Sequence, residues 1–406
     1  MNTGDTAWLL VSAALVMIMT PGLALFYGGM VRRKNILGTI MQSFIIIGLI
    51  SMEWLLVGYS FSFGPDRGGV IGDLSWFALR GVGLTPFKDY AATVPHQAFM
   101  IYQMMFAVIT PALITGAFAE RFKFSTFLVF TLVWALLVYN PVAHWVWGIG
   151  GWIRNLGALD FAGGTVVHIT SGASALAAAL AVGKRRGFGF DNLSPHNLPM
   201  TVLGAAILWF GWFGFNAGSA LAAGDLSTSA FVNTHMAAAA ATMSWVFGEW
   251  IHRGKPTVLG AASGCVAGLV AITPASGFVQ PVAAMMIGLA AGVLCYSAVM
   301  VKGRIGYDDS LDVVGVHCVG GTLGALATGL LATTAVNASG ANGLFYGNPK
   351  LFAVQALAAG VSLVYSFVVT YVVLKILDKT MGLRVTDENE VMGLDLTQHG
   401  EAGYNW

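Results

Sequence analysis

The stretch "DFAGGTVVHITSGASALAAAL", Asp160 to Leu180, runs twenty residues past its opening aspartate without a formal charge, yet holds a histidine, His168, inside the apolar run. About twenty apolar residues in a helix cross the roughly 30 Å of hydrocarbon in a bilayer. An ionisable group at that depth is expensive to keep and is a functional candidate by default. Two readings are open for His168 alone, a ring satisfied by a backbone carbonyl or a group lining a conduction path.

The rest of the chain has the same character. Of 406 residues, 56% are hydrophobic and 10% charged, where a soluble domain carries about 25% charge. This composition excludes an ordinary soluble enzyme and a nucleic-acid binder, and it predicts an all-α polytopic membrane protein. Apolar runs place eleven spans at about 7–29, 36–62, 94–119, 124–148, 162–183, 198–221, 228–250, 256–274, 280–301, 311–334 and 351–376. Residues 1–380 thus form the membrane domain and 381–406 a polar C-terminal tail.

Orientation follows from the basic residues. Fifteen of the twenty lie in the loops after spans 1, 3, 5, 7 and 9 or near the tail, and five (Arg67, Arg80, Lys88, Arg154 and Lys350) lie opposite. This puts the N-terminus outside and the C-terminus inside. Span 1 lacks a basic leader and a small-residue cleavage site, so it reads as a span rather than a secretory signal. Cys265, Cys295 and Cys318 all fall in spans and are odd in number, so they imply core packing and no disulfide framework. No metal, haem or nucleotide motif is present, and no cofactor is expected. Ser263 in "GAASG" has no base placed beside it, which argues against a serine hydrolase.

The first ten spans divide into five and five, an odd number that inverts the second half relative to the first. Repeat one covers about 7–183 and repeat two about 198–334, with 351–376 as a final helix. His168 is followed at +3, +4 and +7 by Ser171, Gly172 and Ala175, and His317 by Gly320, Gly321 and Gly324. "VITPA" at 108–112 is echoed by "AITPA" at 271–275. If spans 5 and 10 are mates, the two histidines face each other near a local two-fold axis, with small residues allowing close packing.

These residues resemble the ammonium transporter family (Amt, Mep and Rhesus proteins), the bacterial Amt branch most of all. The resemblance rests on "DFAGGTVVHITSGASALAAALAVGKRR", "PGLALFYGGMVRRKN", "GAFAERFKF", "PHNLPM", "GWFGFNAGSA", "FGEWIHRGKP", "GVHCVGGTLG" and "GLDLTQHGE", in order along nearly the whole chain. It implies a homotrimer in the cytoplasmic (inner) membrane, each subunit with its own pore for ammonium or ammonia. It also implies an outer recruitment site at Trp147 and Ser219 with Phe106 beneath, a gate of Phe106 and Phe215, and a pore wall of His168, His317 and Trp212.

The same residues have plainer readings. Trp147 suits an interfacial anchor, the phenylalanines suit core packing, and Asp160 suits a helix cap. The resemblance makes Asp160 essential, holding loop backbone beside the recruitment site and stabilising the cation at a distance. Asp312 is read as its inverted counterpart and, more simply, as a cap. Tyr102 falls where a second outer-site phenylalanine is expected, keeping the aromatic face but adding a hydroxyl. Glu53, inside span 2, reads as a buried carboxyl bonded to a neighbouring helix or subunit, with a proton-path role as the alternative. His96, His144, His196, His235, His252 and His399 read as structural. The tail is either disordered or, by resemblance, packed across loops where a PII-class signalling protein docks. Two other functions suit the same fold, an ammonium sensor and an electroneutral ammonia gas channel.

Overall fold

The computed structural model describes residues 1–404; Asn405 and Trp406, the end of the predicted tail, lie outside the described residues. Nine of its helices are long and apolar enough to cross a membrane. They are α1 (Thr3–Met30), α2 (Arg33–Phe63), α3 (His96–Ala117), α4 (Phe124–Asn155), α5 (Gly164–Val182), α6 (Leu198–Ala220), α9 (Pro281–Ile305), α10 (Val314–Leu331) and α11 (Pro349–Thr380). Between them, α7 (Asp225–Arg253) and α8 (Val258–Ile272) occupy predicted spans 7 and 8. Helix α8 is only 15 residues long, and α7 buries Asn233, Thr234 and Glu249 in its own length, so neither stands among the nine.

Local sequence starts and stops these helices as expected. Asn2 caps α1 by accepting from the Asp5 N–H at 3.1 Å, and Thr257 caps α8 through the Gly260 N–H at 2.9 Å. Pro281 opens α9, where its missing N–H costs nothing. The outward faces carry exposed Leu10, Phe44, Phe210, Met286 and Val364, the side chains a lipid-facing surface needs. All three cysteines are buried and free.

Helix α1 packs along α6, and α5 lies against α10 and α11. The α5–α10 contact is reciprocal. A Cβ on Gly172 would sit 2.3 Å from the Cys318 nitrogen, and one on Gly321 would sit 2.9 Å from the His168 Cβ. Each glycine lies four residues after its own histidine and touches the partner helix at the other histidine or the next residue. Small residues are required here because any side chain would force the helices apart.

The face bearing the basic loops is tied together by buried charge. Arg121 is fully buried and donates to Asp308 O and Ser310 Oγ, both at 2.7 Å. Arg185 grips the Asp308 carboxylate through Nε and a terminal nitrogen at 3.0 and 2.9 Å, and Arg32 pairs with Glu120 at 2.8 Å. Burial alone would raise the Asp308 carboxyl, but the hydrogen bonds from Arg185 and the charge of Arg121 hold it below its ordinary value. A depressed carboxyl contributes stability that is present above the ordinary pKa near 4 and lost as pH falls through the folded-state value. Asp308→Asn leaves the buried Arg121 guanidinium without its paired carboxylate and Arg185 with only Glu120 at 3.6 Å, and should cost about 3 kcal/mol. Thermal unfolding of the detergent-solubilised protein checks this: the variant should melt earlier at pH 7, and its acid limb should flatten.

The tail lies on that same face. The Lys123 N–H donates to Leu383 O at 2.8 Å, Val385 N–H to Arg121 O at 3.1 Å, and Leu394 N–H to Asn35 Oδ1 at 2.8 Å. Asp395 accepts the Gly38 N–H at 2.8 Å, and Arg384 pairs with Glu390 at 2.6 Å. Of the two readings open for the tail, packing across the loops is therefore the one the described residues adopt.

Candidate functional site

On the opposite face a mouth of about 430 Å³ opens between α3, α4, α6 and the loop before α5. Phe99, Gln103 and Phe106 line it from one face of α3, joined by Trp147 from the end of the α4 rod, Asp160 and Ser219. Phe106 and Trp147 meet edge-on, centroids 5.9 Å apart and planes at 84°. Ser219 spends its proton on Phe215 O at 2.9 Å, which leaves lone pairs on Oγ to accept from a ligand. Aromatic faces beside a hydroxyl oxygen suit a small cation.

Below the mouth, Phe106 and Phe215 lie 4.4 Å apart between centroids and close the path. Beyond them is a cavity of only about 10 Å³, lined by Met19, Leu208, Trp212, Phe215, His168 and His317 among others. That is room for about one water. A second constriction of similar size, past His317, is lined by Phe26, Tyr27, Ser263 and Asp312.

The two histidines meet in this bore. Their Nδ1 atoms are 3.2 Å apart, with ring centroids at 5.3 Å and planes 29° apart. Each sits in a π-helical turn, Gly164–Ile169 for His168 and Val314–Cys318 for His317, a local widening common at functional sites. One Nδ1 must donate and the other accept. Two neutral rings so paired keep one Nε2 acceptor and one Nε2–H donor. His168 Nε2 is buried without a partner. Trp212 stacks over His168 at 5.5 Å and is fixed by its Nε1 donating to Thr273 Oγ1 at 2.9 Å.

Asp160 caps the first of these turns with both oxygens. Oδ1 accepts the N–H groups of Gly163 and Gly164 at 2.8 and 2.7 Å; Oδ2 accepts those of Thr165 and Val166 at 2.8 and 3.1 Å. Its backbone carbonyl accepts Trp147 Nε1 at 2.9 Å, so the residue links the mouth to the bore. Gly163 turns the loop at φ +116°, where a Cβ would lie 2.6 Å from Val167.

Two expectations are corrected. The counterpart of Asp160 is Asp309, not Asp312: Asp309 precedes His317 by the same eight residues that separate Asp160 from His168, and its Oδ2 accepts the Val314 N–H at 2.8 Å. Asp312 instead pairs with Lys302 from a positive φ of 63°. Tyr102 does not line the mouth. It is fully buried, its hydroxyl lying 2.9 Å from the Gly214 and Phe215 carbonyls and 3.1 Å from Ser219 Oγ, where it anchors α6 rather than offering a face to a ligand. The mouth position belongs to its neighbour Gln103, which sequence reasoning missed. Spacing on α3 was the available signal, since Phe99, Gln103 and Phe106 fall at i, i+4 and i+7 on one face.

Glu53 is buried away from the bore and accepts from Asn140 Nδ2 of α4 at 2.7 Å, as expected of a carboxyl bonded to a neighbouring helix. The remaining histidines have local partners: His96 with Tyr59, His144 with Asp66, His196 with Val31 O, His252 with Tyr296, His235 against Trp209 and His399 against Phe124.

Sequence comparison matches residues 7–404 to the family described as Ammonium Transporter Family. The chain belongs to that family. It is 54% identical over 405 residues to the ammonium transporter of Bacillus subtilis strain 168, covering 100% of this chain and 99% of that one. The crystal structure of Candida albicans Mep2 superposes with a TM-score of 0.91 at 36% identity, covering 99% of this chain and 90% of that one. A structure described as "Sensor Amt Protein" superposes at 0.90 with 32% identity, covering 98% of each. The ammonium transporter family thus accounts for the whole described chain, and its relatives are named as transporters rather than enzymes.

Proposed function

We propose that this protein takes up ammonium selectively, recruiting the cation in the outer mouth, removing its proton and passing ammonia through the bore. The observation that carries the reading is the continuity of the path: aromatic mouth, closed phenylalanine pair, then a one-water bore with a paired donor and acceptor. Moving the intact cation through so narrow and dry a passage means desolvating it, nominally on the order of 20 kcal/mol and still several after relaxation. Deprotonation costs about 3 kcal/mol at pH 7, because ammonium titrates roughly two units above neutral at 1.36 kcal/mol per unit. The cheaper route wins. Potassium has no proton to lose, so the same bore rejects it.

On this reading Trp147, Ser219 and Phe106 hold the cation, with Asp160 fixing the loop beside them; Phe106 and Phe215 gate; His168 and His317 relay the proton, so net charge accompanies each ammonia. Tyr102 serves only by positioning α6. The chain would cross the cytoplasmic membrane eleven times in two inverted five-helix repeats plus a last helix, N-terminus outside. The reciprocal Gly172 and Gly321 contacts and the matched Asp160–His168 and Asp309–His317 spacings support the inversion. A homotrimer is supported by α7, where His235 is exposed at mid-helix and lies tilted against Trp209, whose buried indole nitrogen has no partner among the described residues. Such a polar pair on a membrane-facing surface needs cover from another subunit. The ordered tail and its charged loops give a PII-class protein a fixed surface to dock on.

Likeness to the sensor structure favours a second reading, binding without conduction. An ammonium pulse on proteoliposomes of the purified protein, with potassium as control, separates the two. Sustained charge movement with ammonium alone is the expected result; no current with calorimetric binding intact would leave a sensor or, if an internal dye then reports alkalinisation, an electroneutral gas channel.

A further inference from the structure

His144, fully buried on α4 one turn before Trp147, touches two acceptors at once. Its Nδ1 lies 3.1 Å from the backbone carbonyl oxygen of Ser62, and its Nε2 lies 2.8 Å from Asp66 Oδ1. A carbonyl oxygen only accepts, so Nδ1 carries a proton. Asp66 also accepts the Gly69 N–H through both carboxylate oxygens, at 2.8 and 3.0 Å, and its side chain is 29% exposed. Those contacts favour the ionised carboxylate, so Nε2 carries a proton as well. A neutral imidazole has a single N–H and makes only one of the two bonds. We propose that His144 is held as an imidazolium, clamped between Ser62 and Asp66, and that this clamp positions Trp147 to receive the cation.

The clamp lies where it can set that indole. Asn140 and His144, one turn apart on α4, both reach α2: Asn140 Nδ2 donates to Glu53 Oε1 at 2.7 Å, and Asn140 Oδ1 accepts from Ser62 Oγ at 3.2 Å. Trp147 follows them at i+7 and i+3, on the same side of the helix. The turn 148–151 after it folds back over the pair. A Cβ on Gly148 would lie 2.5 Å from His144 Nδ1, and one on Gly150, at φ +92°, would lie 2.5 Å from the Asp66 Cβ. The hairpin 66–72 docks on the same helix end, Trp145 Nε1 donating to Val70 O at 2.7 Å and the Trp152 N–H to Gly69 O at 3.1 Å. Among the described residues Asp66 is the charged side chain bonded to the ring. The neighbouring ones are engaged elsewhere: Glu53 with Asn140, Arg67 with Asp73, Arg154 with Trp147 O, and the Tyr90 hydroxyl between the Ile149 N–H and Phe63 O, while Asp89 lines the mouth. The inference rests on the transport reading for the identity of the ligand and adds a positioning residue to it.

The charge is read directly by solid-state nitrogen NMR of the full chain, labelled at histidine, in bilayers at about pH 8, where an unpaired ring with an ordinary pKa near 6.5 is neutral. A ring with both nitrogens protonated should be present, vanish in His144→Gln and turn neutral in Asp66→Asn. The role is read from ammonium uptake by proteoliposomes. Each variant should raise the ammonium KM about fivefold, the order of one lost buried hydrogen bond, and leave kcat within about twofold because gate and bore are untouched. The double variant should be no worse than either single one, since the two residues act as a unit. The proposal is overturned if no doubly protonated ring is lost with His144, if both single variants keep KM within about twofold, or if the two effects add. Should His144→Gln fail to fold, the spectrum and KM of Asp66→Asn decide alone. If the unmodified protein binds ammonium by calorimetry but carries no current, the transport reading fails, and the same ratios read from Kd values still decide the role of the clamp. If it neither binds nor conducts, both fall.

Discussion

Asp160→Ala should abolish the ammonium-evoked current, by at least about 100-fold, and lower the melting temperature of the protein. The carboxylate accepts four consecutive backbone N–H groups at 2.7–3.1 Å in a largely buried position. Orphaning a buried donor costs about 1–3 kcal/mol, so even the low end for four donors comes to about 4 kcal/mol. The π-turn that carries His168 begins at Gly164, one residue beyond the first of these donors. Losing the cap therefore displaces the histidine as well as the loop. Trp147 moves too, since its indole is held by the Asp160 carbonyl. Asp160→Asn offers one oxygen where there were two and should fall between the extremes. Currents from Asp160→Ala within twofold of the unmodified protein, with an unchanged melting temperature, would show that the loop holds itself and that the carboxylate is dispensable.

Much of this site was legible in the sequence because its chemistry sits in residues that local pattern marks as anomalous. A histidine in a run of alanines and valines announces itself, and a second at matching offsets to small residues announces a pair. Both predicted partners do meet, at 3.2 Å. What local pattern could not supply was helical phase. Tyr102 and Gln103 are adjacent in sequence but about 100° apart around α3, since an α-helix has 3.6 residues per turn. Reading Tyr102 by its aromatic character put it in the mouth, whereas the phase set by Phe99 and Phe106 puts Gln103 there. The Asp309 and Asp312 assignment turned on a similar point: proximity to span 10 favoured Asp312, but the eight-residue spacing to the histidine is what the cap geometry obeys.

The spans themselves follow from hydropathy because each must bury an apolar surface in lipid or against a neighbour. Helices α7 and α8 are the informative exceptions. Asn233 donates to Ser276 O and Val279 O at 2.8 and 2.7 Å, and Glu249 accepts from Thr257. These polar side chains lower the hydropathy of the helix while bonding to neighbouring segments. The tail was the least legible element. Its bonds to Asn35, Arg121 and Gly38 are made across more than 250 residues of sequence, so nothing local distinguishes it from a solvated end.

The paired histidines make the sharpest prediction. His168→Ala and His317→Ala together should cut ammonium-evoked current by at least about 100-fold, the low end of what positioned proton-transfer groups contribute. The remaining lining of Met19, Leu23, Leu208 and Val266 offers ammonia no hydrogen-bond partner and a proton no carrier. Each single substitution should lose nearly as much as the double. One proton lies between the two Nδ1 atoms, and removing either ring leaves the other without its donor or its acceptor. Effects of residues that act as a unit do not add. His168→Gln, which restores a donor and an acceptor, should recover part of the hydrogen bonding but not the proton transfer, since an amide does not titrate. That variant therefore separates lining from relay: partial passage of ammonia with little net charge assigns the proton to the imidazoles. A double variant that keeps both its current and its rejection of potassium would overturn the relay and leave the two rings as packing.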